Sequence, residues 1–495
     1  MTPSPSSTLS SLPAEIILSI AENLDEEKDV NALTRTSRQF HAFFNDRLYQ
    51  HNVQHNASSG LFWAATNNRK QAIELFLENS ATLAHITSKN ETPFMLAADA
   101  GHLSLLQWLL PQPGVDPAAI DKRGRTALTR ACRNGHTEVV RFLLALETID
   151  PTQEADGVMS APLRLAADGG HADIFRLLLS TGKIDIIPEL TLNSSTSLFR
   201  ATARNQPSIL RILVEDHGLD PNYADPERGM SIMHYAAINR CEAVIEYLLS
   251  VGANPDPVST DPCTPFTHAV RSRSAGVVKL LMATGRVDVD FAESFNRVTP
   301  LATAAANGDV EIARELIESG RVDVNKKDLH GQTPLFRAAK DGRVSVVELL
   351  LAQEGILLES PDFKGERAFT AAIRGRHTKV VELFFKRDDI AWDIPNRHGE
   401  SPLLVAASVN EETIVERLLD KGARIDCKDE HGRTPFAWAK WWQNEEMEKI
   451  LGEYTVRQRF RRPMGVRDRI MLIEGQPVSP MVMLAEEIRG RRRVE

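Results

Sequence analysis

From Leu61 onward one short pattern returns eleven more times, at Phe94, Leu128, Leu163, Leu198, Met233, Phe266, Leu301, Leu335, Phe369, Leu403 and Phe436, with spacings of 33 to 35 residues. A compact domain has no cause to repeat one spacing along most of its chain. A stack of like units does, because each unit can bury its apolar face only against its neighbours. The period predicts an all-α solenoid of about twelve helix-turn-helix units.

The local pattern narrows the kind of unit. Thr92-Pro93-Phe94-Met95-Leu96-Ala97-Ala98 with Gly101-His102 returns as Thr126-Ala127-Leu128 with Gly135-His136, as Thr299-Pro300-Leu301 with Ala304-Ala305, and as Thr333-Pro334-Leu335 with Ala338-Ala339. Over residues 57–452 the chain resembles the ankyrin repeat family, whose mark is T-P-L-H-x-A at a 33-residue period. Each residue type has a physical reason. Thr caps a helix, and Pro is tolerated in the first turn, where the N–H it lacks has no intrahelical partner. Paired alanines keep the first helix thin. The second helix carries apolar doublets such as Val139-Val140 with Leu143-Leu144, and Ile414-Val415 with Leu418-Leu419, the spacing of an amphipathic helix.

Some repeats depart from the pattern. Its His survives only as His234, and Phe62, Thr129, Arg164, Phe199 and Leu404 stand there elsewhere. The resemblance implies a structural hydrogen bond from that imidazole, so its loss predicts less regular repeats. The fifth repeat (Thr196-Ser197-Leu198-Phe199) and the tenth (Arg367-Ala368-Phe369) match least, and a nearest-neighbour stack would open there first.

A different segment precedes the repeats: Leu12-Pro13-Ala14-Glu15-Ile16-Ile17-Leu18-Ser19-Ile20, then Leu24, Asp29-Val30, Leu33, Arg38 and Phe40. Pro13 suits the first helical position and Glu15 the first turn, near the positive end of the helix dipole. Ile16, Ile17, Ile20 and Leu24 then share a helical face. A second short helix would carry Val30 and Leu33, and a third Phe40, Phe43, Phe44 and Leu48. So small a unit makes a poor core and is expected to dock on a partner. In order and spacing it resembles an F-box, although Asp25-Glu26-Glu27-Lys28 makes the first interhelical loop slightly longer and proline-free. That resemblance implies docking on the Skp adaptor of a cullin-RING ubiquitin ligase through Leu12, Pro13, Glu15, Ile16, Ile20, Leu24, Leu33 and Phe40. The expected organisation is a disordered start at 1–10, a three-helix F-box at 11–52, repeats at 57–452, and a basic, irregular tail at 453–495.

Composition sets further bounds. A formal charge of −9 argues against nucleic acid as the main ligand. No apolar run is long enough for a membrane span, and Met1-Thr2-Pro3-Ser4-Pro5 lacks the basic start and apolar core of a signal peptide. A protein of the cytoplasm, the nucleus or both is expected. Cys132, Cys241, Cys263 and Cys427 form no C-x-x-C pair, which fits reduced thiols there. The tail holds Arg457, Arg459, Arg461, Arg462, Arg489 and Arg491-Arg492-Arg493, read either as a flexible basic tail or as a segment for nuclear import or an acidic partner.

No catalytic constellation, metal site or cofactor is expected. His102, His136, His171 and His377 each stand at the Gly-His position of a different repeat, so neighbouring ones sit about 10 Å apart as packed helices do and cannot share one ion. Ser180-Thr181-Gly182-Lys183 lacks the earlier glycine of a phosphate loop, and the hydrolase, zincin and kinase signatures are missing.

A target protein is expected on the hairpin tips and the exposed side of the first helices. The candidates are Lys122, Arg123, Arg125, His330, Phe363, His398 and His431 at the tips, with Arg133, Arg271, Arg273, Lys340 and Arg374 on the helices. The recurring basic residues would suit an acidic peptide. Trp438, Trp441 and Trp442 are expected to seal the last repeat. Together the modules imply a monomeric, non-catalytic substrate receptor of a Skp/cullin/F-box ubiquitin ligase, with an unknown protein target. The alternative is an ankyrin scaffold or inhibitor whose N-terminal helices only cap the stack.

Overall fold

The computed structural model describes residues 59–153, 161–191, 196–293 and 296–461. The chain divides into two compact units, Met1–Asn254 and Pro255–Glu495. Among the described residues there are 24 α-helices in consecutive pairs, from Ser59–Thr66 with Lys70–Glu78 to Pro435–Trp442 with Glu445–Arg461.

The repeated Thr-Pro start acts as its chemistry dictates. The Thr92 hydroxyl accepts from the Met95 backbone N–H at 3.2 Å, and Thr299, Thr333, Ser401 and Thr434 accept in the same way. Such caps contribute roughly 0.5–2 kcal/mol each. Loss of the pattern's His does not make every repeat irregular, because Thr129 and Thr267 rebuild the reciprocal box that His234 makes with Ser231. A short hydroxyl reaches back to the cap N–H as the imidazole does.

Within each unit every first helix packs on the first helix of the next repeat. The alanine pairs Ala97-Ala98, Ala236-Ala237, Ala304-Ala305 and Ala338-Ala339 are buried at these contacts. The apolar doublets of the second helices, such as Val139, Val140 and Leu143, or Ile414, Val415 and Leu418, fill the layer between the two rows.

The Gly-His positions close the ends of the first helices. His102 Nε2 lies 2.8 Å from the Thr66 carbonyl, His136 Nε2 2.9 Å from Asp99, His171 Nε2 3.1 Å from Arg133 and His377 Nε2 2.9 Å from Lys340, each in the preceding repeat. Arg343 Nε does the same for Ala306 at 2.8 Å. These carbonyls are among those a helix leaves unpaired at its C-terminus.

The two weakly matching repeats differ. The fifth is irregular: a 3-10 turn spans Ile187–Leu190, and the second helix Pro207–Arg211 widens into a π-helical turn at Ile212–Asp216. The tenth lacks a side-chain cap at Arg367, yet Phe369 packs edge-on against Phe384, Phe385 and Trp392 at centroid distances of 5.2–5.6 Å. The last helix runs on to Arg461 rather than giving way to irregular chain at residue 453. Its first turns bury Met447 and Leu451, and the Tyr454 hydroxyl reaches Asp420, so the segment is held as the closing layer.

Candidate functional site

Between repeats the chain makes a tight hairpin finger, and one side chain organises each turn. Asp121 Oδ1 accepts from the backbone N–H groups of Arg123 and Arg125 at 2.8 and 2.9 Å. Asp328 holds His330 and Gln332, Asp362 holds Lys364 and Glu366, Asn396 holds His398 and Glu400, and Asp429 holds His431 and Arg433, all at 2.8–3.0 Å. An acceptor on a short side chain, followed three residues later by a residue that tolerates positive φ, closes such a turn. Gly124, Gly331, Gly365, Gly399 and Gly432 supply that conformation, with φ between 70° and 78°.

Neighbouring fingers are joined by backbone bonds. Lys122 N donates to Lys89 O at 2.9 Å in the first unit. In the second unit Leu329 N donates to Asn296 O, Phe363 N to His330 O, Arg397 N to Lys364 O and Glu430 N to His398 O, at 2.8–2.9 Å. The side chains that follow each anchor therefore stand in register along the fingertips.

Beneath the tips of the first unit lies a charge cluster. Arg130, 4% exposed, donates to Glu91 at 2.8 Å and to Asp121 at 2.7 Å, and Arg125 donates to Asp121 at 2.7 Å. Burial works against ionising Glu91 and Asp121. The hydrogen bonds from Arg130, and for Asp121 those from Arg125 and the turn backbone, outweigh it and hold both carboxyls below their ordinary range.

The structure sorts the sequence candidates. Leu12, Pro13, Glu15, Ile16, Ile20, Leu24, Leu33 and Phe40 lie outside the described residues. Lys122, Arg123, Arg133, His330, Lys340, Phe363, His398 and His431 are all exposed. Phe363, 60% exposed, also lies over Gly331, where an added Cβ would come within 2.9 Å of its ring. Four basic candidates already have carboxylate partners: Arg125 on Asp121, Arg271 on Glu293, Arg273 on Asp309, and Arg374 between Glu366 at 2.8 Å and Glu400 at 2.7 Å. His398 Nδ1 sits 3.0 Å from Glu430.

Two features were not evident from the sequence. Lys89 is exposed beside Lys122, but its finger reads Thr87-Ser88-Lys89-Asn90 and lacks the Asp or Asn and the Gly of the five fingers above. Thr87 Oγ1 and a positive φ at Asn90 take those roles. Trp438 is half-buried, but Trp441 and Trp442 do not seal the stack as expected. Trp441 is 66% exposed, and Trp442 donates its indole N–H to the Ser408 carbonyl at 3.0 Å. They follow Ala439-Lys440, where other repeats have two small residues, and Met447 and Leu451 are the side chains buried at this end. Among the described residues no group of three or more His, Cys, Asp or Glu could hold a metal ion, and no helix is long and apolar enough to cross a membrane.

Comparison with known proteins agrees with this architecture. A family model described as ankyrin repeats (3 copies) matches overlapping stretches from 36–121 to 368–459, and one described as F-box-like matches residues 9–55. The tyrosine-protein kinase Shark of Drosophila melanogaster is 27% identical over 120 residues, 24% of this chain and 13% of that protein. An ankyrin repeat protein of fowlpox virus (strain NVSL) is 36% identical over 101 residues, 20% of this chain and 23% of that protein. The chain thus spans less than a quarter of the length of either relative. The crystal structure of the ankyrin repeat protein EF0377 shares 28% identity, covering 38% of this chain and 96% of that one, with a TM-score of 0.36. With the repeat model matched along most of its length, the chain belongs to the ankyrin-repeat family and carries an F-box-like domain ahead of its repeats.

Proposed function

We propose that this protein is the substrate-recognition subunit of a Skp/cullin/F-box ubiquitin ligase. The observation that carries the reading is the pairing of an F-box-like domain at 9–55 with repeats whose fingertips are exposed and held in register. Both modules are protein-interaction domains. The F-box tethers the chain to the ligase core through the Skp adaptor, with Leu12, Pro13, Ile16, Ile20 and Leu33 at the contact, and the fingers hold the target. The mechanism is proximity: a target lysine kept near a charged conjugating enzyme reacts at a raised effective concentration, with no chemistry from the receptor. Cytoplasmic or nuclear residence accords with the free thiols of the four cysteines.

The test is capture of purified Skp adaptor and cullin by the full chain, beside its Leu12→Ala/Pro13→Ala variant. The native chain should capture the complex and the variant should lose it. Capture by neither would leave an ankyrin scaffold without a ligase role.

A further inference from the structure

The second and third fingers concentrate positive charge that forms no ion pair among the described residues. Lys89, Lys122 and Arg123 are exposed, and none of them has an ion-pair partner among the described residues. The bond from Lys122 N to Lys89 O puts the two tips side by side, and neighbouring strands stand about 4.8 Å apart. Like charges on adjoining tips repel. Two carboxylates of these same fingers, Glu91 and Asp121, are committed below the tips. Glu91 takes Arg130 and the Thr87 hydroxyl, with only a minor charge effect from Lys89, and Asp121 takes Arg130, Arg125 and two backbone N–H groups.

In the second unit the basic candidates Arg271, Arg273 and Arg374 are paired with Glu293, Asp309 and the Glu366/Glu400 couple, while Lys340 is exposed with no ion-pair partner among the described residues. The unit's tips add the exposed apolar side chains Leu329 and Phe363. On adjoining tips of the second unit Lys364 and Arg397 form a smaller cationic pair, also exposed and without an ion-pair partner among the described residues, so the three-cation group of the first unit is the denser of the two.

We propose that the tips bearing Lys89, Lys122 and Arg123 dock an extended, carboxylate-rich segment of the target protein. This inference rests on the reading of the repeats as the target-holding module. Two of the three cations are lysines, point charges spread along a line rather than a converging guanidinium fork. That arrangement suits carboxylates presented at about 7 Å on alternate residues of a strand better than one phosphate group.

The probe is a fluorescein-labelled peptide of alternating Glu and Gly, about twelve residues long, with Gln/Gly and phosphoserine/Gly counterparts. Each is titrated against the full chain, its Lys122→Glu/Arg123→Glu variant and a control, Lys364→Glu/Arg397→Glu, on equally exposed tips of the second unit. The Glu/Gly peptide should bind best, weaken by about tenfold or more in the first variant, and be unaffected in the control. Equal loss in both variants, equal binding of the Gln/Gly peptide, no binding by the native chain, or preference for phosphoserine would overturn the assignment. Circular dichroism melts of both variants confirm the fold. Adaptor capture on the same samples separates the readings: capture without the acidic preference sinks this inference alone, and the preference without capture sinks the ligase assignment alone.

Discussion

Arg130 joins turn, helix and neighbouring repeat through one guanidinium. It stands where the first helix of the third repeat faces the Asp121 turn, and it reaches back to Glu91 of the second. Replacing it with Met leaves Glu91 and Asp121 without the guanidinium they share. Removal of one member of a buried pair costs about 3–5 kcal/mol, and the lower end applies because Asp121 keeps Arg125 and two backbone donors. Urea unfolding at neutral pH should show that loss. The pH dependence has a definite sign. Both carboxyls titrate below their ordinary values of 4.5 and 3.8 in the folded chain, so their contribution is present above those values and disappears as pH falls through the folded pKa. Arg130→Met should therefore flatten the loss of stability below about pH 4.5. Undiminished acid sensitivity in the variant would place its origin elsewhere.

The final helix shows how an element acquires a role from its neighbours. Glu445–Arg461 is strongly polar along most of its length, yet Met447 and Leu451 on it are fully buried. The helix packs on Glu412–Asp420 and Pro435–Trp442, and no further repeat follows it among the described residues. Leu451→Ala should cost about 2–5 kcal/mol by leaving a cavity in this closing layer, read as a lower urea midpoint. Trp441→Ala removes a larger but mostly exposed side chain and should move that midpoint little. If the two substitutions were equally damaging, the tryptophans rather than the helix would be the seal.

Across the molecule, stability in a repeat array is a sum of each unit and its contacts with the next, so irregular units open first. The fifth repeat combines the 3-10 turn, a second helix of only five α-helical residues and the π-helical turn. The tenth offsets its missing cap with packed aromatic rings. Native-state hydrogen exchange should find amides of Ile187–Leu190 and Ile212–Asp216 opening well before those of Val346–Leu350. Late exchange at residues 212–216 would show that the wide turn is as well held as a regular helix.

The sequence by itself determined the number of repeats and the small, capped first helices. Those features follow from local rules: a hydroxyl at the cap, Pro in the first turn, Ala where helices meet and Gly where φ is positive. It also determined that His102, His136, His171 and His377 recur too far apart to share an ion. Only the tertiary structure decided which basic side chains are free. Arg125, Arg271, Arg273 and Arg374 read in sequence like Lys122 or Arg123, yet their carboxylate partners sit between 4 and 36 residues away and meet them only when the chain stacks. Lys89 likewise gained its place from a backbone bond between fingers, which no local pattern encodes. Charge is written in the sequence, but whether it is neutralised depends on distance, and distance is set by packing.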